Sequence, residues 1–202
     1  MSDSLNEKNV AANPIDQFRR WFDQAKATDL ALPEAMTLAT CDPSGRPSAR
    51  LVLLKKVDDD GFVFYTNYQS SKARQLEGNP AAALVFYWPP LDYQVRVEGS
   101  VTRTSAAEAD EYFQSRPRES QIGAIASPQS EVIESREVLE QRAAEVAEQY
   151  RSRTIARPAH WGGYRLRPER IEFWKSQPGR LHDRILYERN PAGGWTISRL
   201  AP

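Results

Sequence analysis

AMTLATCDPSGRPSARLVLLKKVDDDGFVFYT, residues 35–66, is the part of this chain that decides its fold. Three β-rich runs lie in it, over residues 35–41, 48–57 and 62–66. Turn sequences rich in Asp, Pro, Ser and Gly separate them, over residues 42–45 and 58–61. Strands joined by turns this short pair as antiparallel neighbours. The middle run contains four consecutive apolar residues, Leu51 to Leu54, which predict a strand buried on both faces.

Similar signals continue on both sides of this stretch. Further strands are predicted over residues 81–88, 93–103, 163–167, 170–174, 184–188 and 195–200. Helices are predicted from the Asn13-Pro14 cap onward and over residues 70–78, 105–116 and 135–151. Residues 117–129 are expected to form an ordered loop. The chain is therefore predicted to be α+β, with an antiparallel core of six or more strands and surrounding helices in a small barrel.

The length of 202 residues is enough for one substantial core. No internal repeat, low-complexity tract or domain boundary interrupts the pattern. Residues 13–202 are therefore predicted to form a single domain. Residues 1–12 are polar and are predicted to be a flexible N-terminal segment.

Charge and composition argue against several classes of function. The chain has 27 basic and 27 acidic residues, so a large non-specific nucleic-acid surface is not expected. Its apolar runs are too short to span a bilayer, its N-terminus lacks the apolar core of a signal peptide, and the single Cys41 fits a reducing compartment. These features predict a cytoplasmic protein without a nucleic-acid or membrane partner. Glycine-rich nucleotide motifs are absent, and two histidines with one cysteine are too few for a usual zinc site.

Residues 174–184, WKSQPGRLHDR, concentrate cationic side chains near the end of the chain. If this segment is extended, Arg180, His182 and Arg184 share one face. Like charges packed together need an anion or a carboxylate among them. From this segment alone, an anion site and a solvated edge strand with Asp183 as local partner are equally good interpretations.

Other candidate anion ligands lie at strand ends and at a helix start. Lys72 lies near the start of a short helix, after two serines, where backbone N–H groups favour an anion. Arg50 and Lys55 are five residues apart and cannot share a face of a regular strand. They line two different pockets, or a bulge lies between them. A further set with helical spacing comprises Tyr112, Arg116 and Ser120.

Six stretches together resemble the pyridoxine/pyridoxamine 5′-phosphate oxidase family, and the likeness extends over residues 13–202. They are residues 50–55, 64–67, 112–123, 171–174, 180–184 and 199–202. The resemblance implies an FMN-binding split β-barrel and a homodimer with FMN at the subunit interface. It also implies oxidation of pyridoxamine or pyridoxine 5′-phosphate to pyridoxal 5′-phosphate, in which FMN accepts a hydride from C4′. O2 then reoxidises the flavin, with release of H2O2.

The resemblance also implies site residues, matched motif by motif. Arg180 and His182 are implied as catalytic residues, with Arg180 holding the substrate against the flavin. FMN contacts are implied at Arg50, Leu51, Val52, Leu53, Leu54, Lys55, Tyr65, Thr66, Ser71, Lys72, Gln94, Gln129, Ser130, Trp174 and Arg184. Substrate contacts are implied at Lys55, Tyr112, Arg116, Ser120, Arg180, Leu181 and His182. No metal and no essential general base is expected.

Three features depart from the family pattern. Ser71 stands where the family commonly has arginine, Lys175–Gly179 replaces a more glycine-rich connection, and the N-terminal extension that covers the substrate in some relatives is shortened. A lid from residues 1–12 is therefore not expected. Two alternatives stay open. One is a split-barrel flavin oxidase acting on another substrate, such as a phenazine precursor, and the other is a non-catalytic protein that binds flavin or pyridoxal phosphate.

Overall fold

The computed structural model describes residues 4–202 of the chain. In this range five α-helices are present: α1 Pro14–Lys26, α2 Ser71–Gly78, α3 Ala106–Ser115, α4 Arg118–Ala126 and α5 Arg136–Gln149. The same range holds nine strands: β1 Ala35–Cys41, β2 Pro47–Leu53, β3 Lys56–Asp58, β4 Gly61–Asn67, β5 Ala81–Trp88, β6 Tyr93–Arg103, β7 Trp161–Lys175, β8 Asp183–Arg189 and β9 Trp195–Arg199. None of the helices in residues 4–202 is long and apolar enough to cross a bilayer.

The strands form one antiparallel sheet with the order β2-β1-β5-β6-β7-β4-β3. The long strand β7 is its centre, because β4 pairs with its first half, β8 with its second half, and β6 with most of its length. β9 continues the sheet from β8. A strand with three partners makes the sheet branch, so it cannot be a single flat layer. The predicted α+β class with six or more antiparallel strands is confirmed.

Aromatic side chains build the main core between α1 and the sheet. Phe18 of α1 is fully buried, with its ring 4.8 Å from that of Phe62 and 4.9 Å from that of Phe86. Trp21, one turn further along, stacks on Tyr93 at 3.9 Å. Such pairs add roughly 0.5–1.5 kcal/mol each beyond the area that they bury. They fix α1 against β4, β5 and β6.

A smaller cluster lies beneath α3 and α4, where Phe113 and Trp161 are buried and Ile122 and Ile125 pack against them. The prediction of a loop over residues 117–129 is wrong for Arg118–Ala126, which forms α4. Pro117 ends the preceding helix and offers no side-chain cap, so the start of α4 carries no sequence signal. The three-residue spacing of the two isoleucines is the helical signal that was present.

The predicted strand over residues 48–57 is interrupted, since β2 ends at Leu53 and β3 begins at Lys56. The run Leu51 to Leu54 is not buried on both faces: Leu51 is 73% exposed, while Leu54 lies in the main core. The reason is that β2 is an edge strand, to which β1 alone is paired among residues 4–202.

The strands predicted over residues 163–167 and 170–174 are one strand, β7. Its pairing with β6 shifts where Glu98 faces Arg170 and Gly99 faces Pro168, which leaves Glu169 as the extra residue of a β-bulge. A bulge tolerates proline inside a sheet because a regular ladder bond is not needed there. Pro168 is therefore a bulge residue rather than a strand terminator.

Replacing Gly99 by alanine is expected to destabilise the fold by about 2–3 kcal/mol. A Cβ at this position would overlap the carbonyl oxygen of Arg167 across the bulge, and that oxygen belongs to the backbone and cannot move aside. Thermal unfolding of the variant measures the effect. Gly123→Ala is the matched control, because a Cβ there meets nothing within 4 Å and alanine favours the helix by about 0.5–1 kcal/mol. Equal unfolding midpoints for the two variants would contradict this account of the bulge.

Residues 4–12, which the sequence predicts to be flexible, make contacts with the rest of the fold. Leu5 and Ala11 are buried. The Leu5 N–H donates to the Asp183 carboxylate at 3.1 Å, and the Tyr187 hydroxyl donates to the Ala11 carbonyl at 2.6 Å. Two hydrogen bonds therefore attach this polar segment to β8, and two of its apolar side chains are buried. Residues 1–3 lie outside the described residues.

Candidate active site

A cavity of about 650 Å³ lies between β2, β4 and the helices α2, α3 and α4. Twelve of the predicted site residues line it: Arg50, Leu51, Val52, Leu53, Lys55, Tyr65, Thr66, Lys72, Tyr112, Arg116, Ser120 and Gln129. Four of these side chains are cationic, and none of the described residues in the lining is a carboxylate. The volume is typical of small-molecule sites. Cations gathered without carboxylates fit phosphorylated ligands.

Arg50 and Lys72 form one cationic pair in this cavity. The Arg50 Nη1 donates to the Thr40 hydroxyl at 2.6 Å and to the Leu38 carbonyl at 3.2 Å. The Lys72 Nζ donates to the Thr66 hydroxyl at 3.2 Å. Burial lowers the pKa of both groups, and the charge of Arg50 further lowers the pKa of Lys72. Because these partners are neutral, both charges are available to an anion.

Helix α2 begins beside this pair. Ser70 caps it by accepting from the Ala73 N–H at 3.4 Å, and the Ser71 N–H donates to the Ser130 hydroxyl at 3.2 Å. Ser71 and Ser130 do not line the cavity, but each is adjacent in sequence to a residue that does, Lys72 and Gln129. A helix N-terminus next to two cations adds its own attraction for a phosphate.

A break in the chain brings Lys55 to the same cavity as Arg50. Leu54 and Lys55 lie between β2 and β3, and the Lys55 N–H donates to the Val63 carbonyl at 2.8 Å. The Leu54 side chain lies in the core rather than in the cavity. The sequence left open whether Arg50 and Lys55 line two pockets or are brought together by an irregularity in the strand. The structure has the irregularity, and both residues line one cavity.

An aromatic stack supports Arg116. Tyr65 stacks on Tyr112 at 4.0 Å and on Trp161 at 5.5 Å. The Arg116 guanidinium lies 4.5 Å from the Trp161 ring centre, a cation–π contact. Its Nη1 is buried and has no hydrogen-bond partner within residues 4–202. Burial also lowers the pKa of Arg116. A buried donor left unpaired costs about 1–3 kcal/mol, so this nitrogen indicates a ligand.

Sequence reasoning missed several residues that line the cavity. They are Asn67, Gly123, Ala124, Ser127 and Trp161. Trp161 had no signal of its own, since a tryptophan at the start of a strand is usually a core residue. Tyr65 shows how far this aromatic wall is shielded from water, because burial raises the pKa of its hydroxyl to about 12.

A second group of predicted residues lies elsewhere on the sheet. Gln94, Trp174 and Arg184 are aligned across β6, β7 and β8. Arg184 pairs with the buried Glu172 through Nε at 2.7 Å and Nη2 at 3.1 Å, and this pairing raises the pKa of Arg184. The charge of Arg184 is therefore matched by a carboxylate within the chain. None of the three lines the cavity.

Arg180, Leu181 and His182 precede β8 on a loop. The condition for a shared face, an extended segment, is not met here, because Pro178–Arg180 form a 3₁₀ turn in which Gly179 has φ 67° and Arg180 has φ 63°. Arg180, His182 and Arg184 therefore do not alternate along one strand. Leu181 is 72% exposed, and Arg180 is exposed without an ion pair within residues 4–202. His182 lies against Trp174, with ring centres 4.6 Å apart.

Comparisons with known proteins find the same group of oxidases over nearly the whole chain. The family described as pyridoxamine 5′-phosphate oxidase matches residues 22–150. The family described as the pyridoxine 5′-phosphate oxidase C-terminal dimerisation region matches residues 161–202. Relatives named pyridoxine/pyridoxamine 5′-phosphate oxidase, from Paraburkholderia phymatum and Salinibacter ruber, are 56% and 55% identical to the chain. Each alignment covers 98% of this chain and 93% of the relative.

Solved structures share the fold. PhzG from Burkholderia lata, in complex with tetrahydrophenazine-1-carboxylic acid, has a TM-score of 0.92 and 31% identity, covering 99% of this chain and 98% of that one. A pyridoxamine 5′-phosphate oxidase-related, FMN-binding protein from Nostoc punctiforme has a TM-score of 0.75 and 20% identity, covering 98% and 100%. The predicted FMN-binding split-barrel fold is confirmed. By its family matches and its relatives, the chain belongs to the pyridoxine/pyridoxamine 5′-phosphate oxidase family.

Proposed function

We propose that this chain is an FMN-dependent oxidase that converts pyridoxamine and pyridoxine 5′-phosphate to pyridoxal 5′-phosphate, with O2 as electron acceptor and H2O2 as by-product. The observation that carries the proposal is the cavity with four cations and no carboxylate in its described lining, in which the buried Arg116 Nη1 lacks a partner. The relatives at 55% and 56% identity bear the matching name.

The four cations divide into two phosphate sites. Arg50 and Lys72, beside the N-terminus of α2, fit the phosphate of FMN. Lys55 and Arg116 fit the phosphate of the substrate, together with the hydroxyls of Tyr112 and Ser120. Two phosphorylated ligands explain why a chain without net charge gathers four cations in one cavity.

The second group of residues is assigned to the partner subunit's cavity. Gln94, Trp174 and Arg184 do not line the cavity of their own chain, and they lie in or opposite the segment that matches a dimerisation region. We infer a homodimer in which each cavity is completed by these residues and by the Arg180 to His182 loop of the other chain. The role of O2 as electron acceptor and the position of FMN at the subunit interface are parts of this proposal.

In the mechanism the protein binds and orients. FMN, when bound, supplies the hydride acceptor. The phosphate ligands place the substrate, and Arg180 holds it by a fixed positive charge near the carbon that reacts. The rings of Tyr65 and Trp161 stack into an aromatic wall, and the Arg116 guanidinium lies against Trp161. No side chain is assigned as an essential base.

An absorbance spectrum of the purified protein, followed by pyridoxamine 5′-phosphate without oxygen, tests the proposal. We expect a yellow protein whose visible flavin band bleaches on addition. A flavin band that persists would exclude this substrate. It would favour a non-catalytic flavin protein or a phenazine-type oxidase, and the likeness to PhzG at 31% identity is the reason for naming the second. A colourless protein that takes up no FMN would overturn the assignment.

Replacing Lys72 by alanine is expected to weaken FMN binding about 10- to 100-fold, because a charged hydrogen bond contributes about 1.5–3 kcal/mol. Titration of the apoprotein with FMN, followed by flavin fluorescence, measures the affinity. Lys26→Ala is the control, since Lys26 forms an exposed pair with Asp23 at 2.7 Å that contributes little. Equal FMN affinities in the two variants would remove Lys72 from the phosphate site.

A further inference from the structure

Gln177 holds the loop of Arg180 and His182 at two points. Its backbone N–H donates to the Nδ1 of His182 at 3.1 Å. Its side-chain Nε2 donates to the Asp183 carboxylate at 2.7 Å. The two bonds close the loop around the turn Pro178–Arg180. The Gln177 side chain is only partly exposed.

The bond at Nδ1 determines where the imidazole carries its proton. An amide N–H only donates, so Nδ1 accepts, and in the neutral ring the proton is then on Nε2. Nε2 of His182 has no hydrogen-bond partner within residues 4–202, and the ring lies against Trp174. The ring therefore offers an unused N–H donor beside a residue of the second group.

Asp183 gives Gln177 a fixed point of attachment. It is buried and accepts from the Arg199 Nη1 at 2.9 Å and from the Leu5 N–H at 3.1 Å. Arg199 in turn pairs with Glu7 at 3.1 Å. Burial opposes the charge of Asp183, but the hydrogen bonds from Arg199, Gln177 and the Leu5 N–H keep its pKa low. The N-terminal segment and β9 thus fix the Asp183 carboxylate, and this carboxylate in turn fixes the Gln177 side chain.

We propose that Gln177 is a positioning residue that keeps His182 in the Nε2–H tautomer, so that the ring presents a hydrogen-bond donor to the substrate. The functional part rests on the proposed function, in which His182 contacts the substrate. A neutral donor suits an oxygen acceptor on the substrate ring, and it leaves the fixed positive charge to Arg180. The other tautomer would present an acceptor instead and would lose the bond to the Gln177 N–H.

Nitrogen-15 NMR of the holoenzyme reads the tautomer directly, because the chain has only two histidines. His160→Gln assigns the signals. In the wild-type protein we expect the His182 Nδ1 to have the shift of an unprotonated nitrogen and Nε2 that of an N–H. Gln177→Ala keeps the backbone N–H but removes the side-chain bond that ties residue 177 to Asp183. In this variant we expect the two shifts to move toward each other and kcat to fall several-fold, with FMN content unchanged. Gln141→Ala, which removes an exposed bond to Glu145 of 3.0 Å, should change neither.

A wild-type His182 with its proton on Nδ1 overturns the proposal whatever the activity. Unchanged shifts in Gln177→Ala also overturn it, and shifted signals with an unchanged kcat overturn its functional part. A wild-type protein that does not oxidise pyridoxamine 5′-phosphate refutes the proposed function instead, and the NMR result still decides the tautomer. The two failures are therefore distinguishable.

Discussion

Alanine in place of Arg180 is expected to lower kcat by about 10²–10³-fold and to leave the FMN content unchanged. Arg180 is exposed on the turn Pro178–Arg180 and has no ion pair within residues 4–202, so the fold of the single chain does not use its charge. In the proposed dimer that charge meets the substrate of the other subunit and holds it against the flavin. The measurements are kcat with pyridoxamine 5′-phosphate and flavin absorbance per subunit.

The backbone conformation at Arg180 determines which second substitution is a suitable control. Its φ of 63° is left-handed, a conformation that costs about 1 kcal/mol for arginine and alanine alike. Asparagine tolerates this conformation better, so Arg180→Asn removes the charge without the strain and should lose the same activity. Arg151→Ala, which removes an exposed ion pair with Glu148, should keep it. Full turnover in both Arg180 variants would remove the residue from the mechanism.

The strands that could be predicted to the residue are those bounded by strong local signals. β1, β5 and β6 begin and end as predicted because turn sequences and Pro89-Pro90 stop them. β7 could not be predicted as one strand, since Pro168 is a terminator unless a partner strand supplies a bulge. α4 was hidden for the opposite reason, because Pro117 marks the end of one helix and begins another without a cap. In both cases the deciding information lies in tertiary contacts.

The candidate site also has residues that local sequence could predict and residues whose role depends on tertiary contacts. Lys72 could be predicted from local chemistry, because a helix start after two serines already favours an anion. The shared cavity of Arg50 and Lys55 depends on the break between β2 and β3, which the sequence left open. Arg184 shows the limit: its partner Glu172 lies on the neighbouring strand, so the charge match was invisible from the spacing of residues 180–184.

Replacing Arg116 by methionine is expected to lower kcat/KM for pyridoxamine 5′-phosphate about 100-fold, mainly through KM. Its guanidinium is held over Trp161, and its buried Nη1 has no partner within the described residues, so a phosphate would gain charged hydrogen bonds there. Each such bond contributes about 1.5–3 kcal/mol. Methionine keeps an apolar stem against the indole ring, which limits the loss of packing. Steady-state kinetics of the two proteins measure the change.

The comparison that isolates the phosphate uses pyridoxamine, which lacks it. For this poor substrate the wild-type protein and Arg116→Met should have similar kcat/KM values, because the lost bonds are absent from both reactions. Arg118→Met is the matched control: Arg118 is exposed and donates to the Arg153 carbonyl at 3.3 Å, outside the cavity lining. Equal losses with both substrates would show that Arg116 supports the site through Trp161 instead. The anion that its unpaired nitrogen indicates would then have to be sought at Lys55.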